Sequence, residues 1–562
     1  MTLSSLKYTA AALSLALALA GTAEAAKDAK LSIPPQEVAV RRISGDQYRN
    51  IIRDVFGPTI QFGGHFEPAL KINGLAAAGS SSIGVSPAGM EQYDAMARAI
   101  AGQVTDEAHR GQMIPCVPAK TDAADDDCAR RFLGDVGQLL YRRPLARETL
   151  DAHVNAAHVA AESVKDFYRG LSLSLSAMLS SPQFLFQDAE LERDPDTKGG
   201  YRIDGYSKAS ELSFFLWNSG PDLALLTAAA KGELETSKGL KRQVERMMAS
   251  PRLEAGVRAF FIDNFAFDEF GELTKDVVLF PKFSAQATND AQEQTLKTIV
   301  QILLKDKGDY RDLFTTRKTF LTPELASIYR VPVPDAQVTG GADGWVPYEF
   351  PASDPRAGIL THISFVALHS PAGRGSPTLR GKAVREVILC QKVPPPPGNV
   401  AFNIVQDTSN PVFKTARERL TAHRENPVCA GCHRITDPMG LALENFDGAG
   451  EFRTTENGKV IDTSGDLDGI KFTDSAGLGQ AIAANKATTS CLVNRLASYA
   501  VGRKPAAEET PWVNYLQQKF IDNGYRFPDL MRDIALSDSF YARAMPKAAE
   551  APSTTTADAT NK

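Results

Sequence analysis

The chain has 562 residues, of which 43% are hydrophobic and 23% charged, and its formal net charge is −5. These proportions are ordinary for globular protein, and the length is sufficient for several domains. The mildly acidic balance gives no basis for binding nucleic acid or an anionic membrane surface.

The N-terminus has the pattern of a secretory signal. Lys7 precedes an apolar run from Tyr8 to Ala20, and Ala23-Glu24-Ala25 supplies small residues around a cleavage site. The run is too short to span a bilayer, and no later stretch reaches the required length. We therefore expect residues 1–26 to be removed and the protein to be periplasmic or secreted, with no transmembrane segment.

The rest of the chain shows mainly helical spacing of apolar residues, interrupted by irregular segments rich in Pro and Gly. The fold class predicted is mainly α, in several domains. The sequence predicts helical domains at 40–104, 127–190 and 200–330, a further domain at 355–455, a C-terminal helical domain at 466–545 and a disordered tail at 548–562.

The segment 355–455 contains Cys429-Ala430-Gly431-Cys432-His433. This C-x-x-C-H pattern is the one to which haem is attached in c-type cytochromes. The two thiols bond to the porphyrin, and the histidine becomes the proximal ligand of the iron. We therefore predict a cytochrome c-like domain with covalent haem c on Cys429 and Cys432 and with His433 on the iron.

Two other kinds of site, a zinc site and a redox dithiol, also contain a C-x-x-C pair. A zinc site needs a second pair of ligands at short spacing, and His423 alone does not make one. A redox dithiol usually opens a helix after a strand. Here the motif follows residues 424–427 and leads into Thr436-Asp437-Pro438, which we predict to be a loop.

The remaining four cysteines allow three pairings. Cys116 and Cys128 flank a short loop whose closure costs little entropy. That pairing leaves Cys390 with Cys491, in a bridge around the motif. Four free thiols are the alternative, but an oxidising compartment favours disulfides.

A sixth iron ligand would decide between electron transfer and catalysis. Methionine or histidine closes the iron, whereas an open position admits oxygen or peroxide. His369 lies between an apolar run and a Gly-rich loop, a position that suits a ligand. The predicted distal ligands, in rank order, are His369, His362 and Met531, with His423 and Met439 as further candidates.

Charged residues near the motif have candidate roles as well. Arg374 and Arg380 flank the loop 373–376 and could contact haem propionates, because guanidinium matches carboxylate geometry. Glu444 and Asp447 follow the motif. We expect them to hold a loop through backbone hydrogen bonds rather than to act as catalytic acids.

Several strings in the sequence resemble one family. They include CHRITDPMGLALENFDGAGEFR, SPTLRGKAVREVILCQKVPPPPGNV, SCLVNRLASYAVGR and RRISGDQYRNIIRDVFG. The chain is similar over nearly all of its mature length to the planctomycete-type cytochrome-like proteins, a row of domains of unknown function whose members are often named for cellulose binding. The resemblance implies a mostly helical, exported, multidomain haem protein, and it implies no particular reaction.

The function predicted is periplasmic electron transfer, as a redox subunit or partner of another exported enzyme. One alternative is a haem peroxidase or oxygenase that acts on a large extracellular compound. Another is a protein that binds envelope polysaccharide and carries an accessory haem, with Trp217 or Trp345 stacking on sugars. The expected partner is accordingly a redox protein or a polymeric substrate.

Overall fold

A computed structural model of the chain describes residues 36–37, 39–195, 200–332, 344–396 and 403–544. The protein is mainly helical and multidomain, as predicted. The predicted signal at 1–26 and the predicted tail at 548–562 lie outside the described residues. Within the described ranges, no helix is both long enough and apolar enough to cross a bilayer.

The N-terminal part of the fold consists mainly of helices, joined by both short and long connections. Side-chain caps fix where several of them begin: Ser44 Oγ accepts the backbone N–H of Gln47, and the Gln47 side chain accepts the N–H of Ser44. The helices are Gly45–Phe56, Ala76–Gly79, Pro87–Thr105, Arg110–Met113, Asp126–Leu140, Arg147–Val164, Phe167–Leu179 and Pro182–Leu185.

The larger C-terminal part continues the helical pattern. The longer helices are Gly205–Trp217, Leu223–Ala230, Ser237–Met248, Leu253–Asn264, Ala285–Val300, Ala416–His423, Pro427–Leu441, Ser475–Ala484, Lys486–Val501, Thr510–Asp522 and Phe527–Leu536. Shorter helices are Pro323–Tyr329, Ile363–Leu368, Pro377–Ala383, Asn403–Gln406 and Asp538–Tyr541, and wider helical turns follow two helices at Gln301–Lys305 and Val384–Ile388.

The strands are short and form two-stranded pairs. Gln36–Glu37 pairs in parallel with Arg543–Ala544. The antiparallel pairs are Arg41–Arg42 with Phe186–Gln187, Leu191–Arg193 with Tyr201–Ile203, Lys318–Leu321 with Val346–Glu349, Thr455–Glu456 with Lys459–Val460, and Gly465–Leu467 with Ile470–Phe472. The strand Val346–Glu349 lies in a stretch predicted to be irregular, because strands of this length leave no clear alternation in the sequence.

Two hydrophobic cores hold these elements. One contains side chains from Ile43 to Leu185, and the other contains side chains from Ile203 to Tyr541. The first two predicted segments therefore share one core, and the other three share the second. Phe214, on the helix Gly205–Trp217, packs into the first core and so connects the two.

Buried ion pairs connect the strand Arg41–Arg42 to the C-terminal part of the fold. Glu211 Oε1 accepts from Arg543 at 2.7 Å and lies 3.7 Å from Arg41, and Glu211 and Arg543 are both nearly inaccessible to water. Such a group is stable in the interior only with its partners in place.

Both predicted disulfides are present: Cys116–Cys128 and Cys390–Cys491. The second connects the end of the turn Val384–Ile388 to the helix Lys486–Val501. The segment with the motif lies between these two cysteines, so the bridge closes a loop of the chain around it. Cys429 and Cys432 are free thiols.

Glycines allow the helices Pro377–Ala383 and Pro427–Leu441 to touch through their backbones. A Cβ at Gly381 would lie 1.9 Å from the carbonyl oxygen of Thr436, and one at Gly440 would lie 1.7 Å from that of Pro377. No side chain fits in either place.

We predict that Gly440→Ala destabilises the protein by at least about 1–3 kcal/mol, because the new methyl group overlaps a backbone carbonyl and the two helices must separate. Gly431→Ala on the same helix is the matched control, since nothing lies within 4 Å of the position of its Cβ. Chemical unfolding of the two variants checks this. Equal stability of the two would show that the close approach is not needed.

Candidate functional site

The motif lies on a helix, not in the predicted loop. The helix Pro427–Leu441 begins with Pro427, and Asn426 Oδ1 accepts the N–H of Val428 at 3.0 Å. It continues through Pro438, which the sequence prediction took as part of a loop. The prediction was wrong because proline normally ends a helix, whereas here the tight contact at Gly440 holds the helical path on both sides of it.

This helix brings the reactive groups of the motif together. Cys429, Cys432 and His433 are three and four positions apart, which places their side chains on one side within a single turn. Cys429 is buried and Cys432 is partly exposed, with its Sγ 3.9 Å from the carbonyl oxygen of Pro394. Two thiols and one imidazole therefore face a common region.

A buried carboxylate holds the ring of His433. Both oxygens of Asp437, one turn further along the helix, lie 3.0 Å from His433 Nδ1. Thr378 Oγ1 donates to Asp437 Oδ1 at 3.0 Å from the facing helix. Because Nδ1 is occupied by Asp437, Nε2 is the nitrogen that remains available to a ligand.

His423 is the imidazole that the structure places against His433. The ring centroids are 4.8 Å apart, with the rings at 73° to one another. Burial, followed by the neighbouring His433, lowers the pKa of His423 and so favours the neutral, ligand-competent form. The helix Ala416–His423 is held by a buried ion pair between Arg419 and Glu456 at 2.6 Å.

The distal ligands ranked highest from the sequence lie elsewhere in the interior. His362 Nδ1 is 2.9 Å from Thr295 Oγ1, and burial lowers the pKa of His362 to about 3. The His369 ring packs against Phe365, and burial, then Arg380 and Lys275, lower the pKa of His369 to about 4. His362 is buried and His369 is partly buried, and both contact groups other than His433.

Methionine side chains near the motif are also core residues. Met531 and Met439 are fully buried within the second hydrophobic core. A thioether in such a position fills space between apolar neighbours.

Arg380 is directed into the protein. Its guanidinium is fully buried and donates to the backbone oxygens of Leu443 at 2.9 Å, Phe446 at 2.8 Å and Asp447 at 2.6 Å. It also lies 3.3 Å from Glu444 Oε1. A contact with a haem propionate would require these bonds to break.

Glu444 is part of the same buried network. Its other oxygen accepts from Arg453 at 2.9 Å, and burial raises the pKa of the carboxyl. Asp447 Oδ1 accepts the backbone N–H groups of Ala449 and Glu451, both at 2.9 Å. Asp447 therefore holds the chain through backbone hydrogen bonds, as expected from the sequence, whereas the Glu444 carboxylate pairs with the side chains of Arg380 and Arg453 instead.

Arg374 lies at the edge of this network and is partly exposed. Its Nη1 donates to the backbone oxygen of Gly375 at 3.2 Å. Burial and the nearby Arg419 lower its pKa, whereas Glu444 acts in the opposite direction. Of the two arginines predicted to meet propionates, Arg374 is the one with an accessible side chain.

The donor set fits a covalently attached haem better than a bare metal ion. Among the residues described, no three or more His, Cys, Asp or Glu side chains are arranged to hold an ion. Haem requires only the two thiols and one protein nitrogen on one face. Two large apolar side chains on the helices that carry the motif and Thr378 are exposed, Val428 at 62% and Leu379 at 44%.

The sequence did not single out Asp437 or Thr378. The spacing of four residues between His433 and Asp437 is the signal that could have found the first, once the segment is recognised as helical. Thr378 comes from a distant part of the chain, so only the packing of the two helices reveals it.

Five sequence families match the chain, each described as a protein of unknown function. They are DUF1587 at residues 41–106, DUF1595 at 128–188, DUF1592 at 203–331, DUF1588 at 356–456 and DUF1585 at 468–540. The motif falls within the DUF1588 match. No curated protein and no solved structure was found to be similar. The chain is therefore a row of five domains of unknown function.

Proposed function

We propose that the protein is an exported c-type haem protein of periplasmic electron transfer. The observation that carries this proposal is the arrangement of Cys429, Cys432 and His433 on one helical turn, with both thiols free while the other four cysteines form disulfides. Because neither thiol is part of a disulfide, both are available for thioether bonds to a porphyrin. A haem bound there would supply a one-electron iron couple.

The two disulfides also support the exported location. Disulfides persist in oxidising compartments and are rare in the cytosol. Together with the signal pattern in residues 1–26, they favour a periplasmic or secreted protein.

The residues of the site have distinct roles in this proposal. Cys429 and Cys432 would hold the porphyrin, His433 would bind the iron through Nε2, and Arg374 would be the side chain available to a propionate. Asp437 and Thr378 keep the His433 ring in one orientation. The His423 ring packs against His433, whereas the His369 ring packs against Phe365, so His423 would be the second side chain to bind the iron and close it to small ligands once a porphyrin separated the two rings.

We predict that haem remains on the denatured protein when it is produced in a host that matures c-type cytochromes. Cys429→Ser with Cys432→Ser should lose all haem that resists acid–acetone extraction, because both thioethers are gone. Cys116→Ser with Cys128→Ser is the matched control and should retain it. Absorbance of the extracted protein measures the outcome, and wild-type protein without bound haem would refute the proposed function.

We predict that the reduced protein does not bind carbon monoxide and that His423→Ala does, because the substitution opens the sixth position. His369→Gln should leave the spectrum unchanged. Difference spectra with and without carbon monoxide provide the measurement. Binding by the wild-type protein would favour a haem peroxidase or oxygenase, and an opened iron in His369→Gln alone would support the ranking from the sequence.

A second candidate function, binding of envelope polysaccharide, is favoured by a cleft of about 400 Å³ at Trp345. The amides of Asn289 and Gln292 line it and could bind hydroxyl groups. Two charged side chains that also line the cleft, Arg258 and Glu293, form an ion pair with each other. Trp217, the other aromatic considered, is buried, with Nε1 donating to the Met247 oxygen at 3.1 Å.

If this cleft binds sugar, Trp345→Ala should lose retention on insoluble cellulose or peptidoglycan, because stacking on the indole is removed. Tyr201→Ala, which removes an exposed aromatic ring elsewhere, is the matched control. Sedimentation with each polysaccharide measures retention. Equal behaviour of the wild-type protein and Trp345→Ala would eliminate this candidate.

A further inference from the structure

We propose that Asp437 is a positioning residue that orients His433 and holds the reduction potential of the attached haem low. This inference rests on the haem attachment proposed above. A carboxylate outside the C-x-x-C-H motif thereby sets the reduction potential of the iron.

The contact is direct and symmetrical. The two oxygens of Asp437 each lie 3.0 Å from His433 Nδ1, so the carboxylate accepts a hydrogen bond from Nδ1–H and keeps the proton on that nitrogen. The spacing of four residues along one helix makes the pair a neighbour across a single turn. The His433 ring can therefore present only Nε2 to a ligand site.

The carboxylate itself is held in place. Asp437 has no solvent exposure. Thr378 Oγ1 donates to its Oδ1 at 3.0 Å, and Thr436 Oγ1 lies 3.3 Å from the same oxygen. The backbone contacts at Gly381 and Gly440 fix the helix that carries Thr378 against the helix that carries Asp437.

This arrangement has a chemical consequence for the iron. A carboxylate on the far nitrogen of a ligating histidine raises the basicity of the ligand. A buried negative charge also interacts more strongly than an exposed one, because less water screens it. Both effects stabilise the ferric iron more than the ferrous iron, which carries one positive charge less. The reduction potential falls as a result.

The inference also specifies the class of redox partner. One electron enters the ferric iron and gives the ferrous iron, without bond formation at Asp437. A haem whose ferric state is stabilised is reduced efficiently only by a donor that itself has a low potential. Any electron donor to this protein must therefore match a potential that Asp437 has lowered.

The test compares midpoint potentials of holoproteins. Asp437→Asn should keep its covalent haem and shift the reduction equilibrium at least tenfold toward ferrous, a rise of about 59 mV for a one-electron couple. Thr378→Val should shift it in the opposite direction by less, because the carboxylate keeps its charge and loses a donor that competes with His433 Nδ1–H for Oδ1. Asp437→Glu should recover part of the wild-type value.

Asp462→Asn is the matched control, because it removes the same charge from an exposed position that pairs with Arg417. The electron paramagnetic resonance spectrum of the ferric protein gives a second readout, whose g values should shift in Asp437→Asn and stay unchanged in Asp462→Asn. If Asp437→Asn fails to fold with haem, the midpoint potential of Thr378→Val is compared with that of Asp462→Asn instead.

The two proposals fail in different ways. Wild-type protein without covalent haem would refute the proposed function, and this inference with it. Haem-loaded Asp437→Asn, or Thr378→Val in its place, with the potential of the Asp462→Asn control would overturn this inference alone.

Discussion

The backbone contact between the helices Pro377–Ala383 and Pro427–Leu441 is the constraint on which the candidate site depends. Gly381 and Gly440 leave no room for a side chain at the crossing. The close approach carries Thr378 to Asp437, and Asp437 holds His433. A wider crossing would separate these groups. Gly381 and Gly440, which carry no reactive group, thus determine how the reactive groups of the motif are positioned.

Buried charged side chains hold the segments of the chain that surround the motif. Arg380, on the first of these helices, holds the backbone from Leu443 to Asp447 with hydrogen bonds that water cannot replace. Burial lowers the pKa of Arg380 to about 10, so it remains charged at neutral pH. Arg419 and Glu456 hold the helix that ends at His423. The elements around the motif are therefore fixed on three sides by polar contacts as well as by packing.

The sequence predicts much of this structure, and its failures have physical reasons. The helical spacing of apolar residues predicted the mainly helical fold. The number and spacing of the cysteines predicted both disulfides. The proline rule misassigned Thr436-Asp437-Pro438, because tertiary contact overrides the local preference of Pro438. Thr378 and the position of His423 depend on long-range packing, which spacing along the chain does not encode. Two-residue strands such as Thr455–Glu456 are too short to show a period.

The central claim is that Cys429 and Cys432 carry a haem whose iron is bound by His433. Peptide mass spectrometry of the exported, wild-type protein tests it most directly. The account predicts that the peptide containing both cysteines carries one haem, and that Cys116–Cys128 and Cys390–Cys491 are recovered as disulfide-linked peptides. Recovery of the same peptide with two free thiols, or with a disulfide between Cys429 and Cys432, would contradict it.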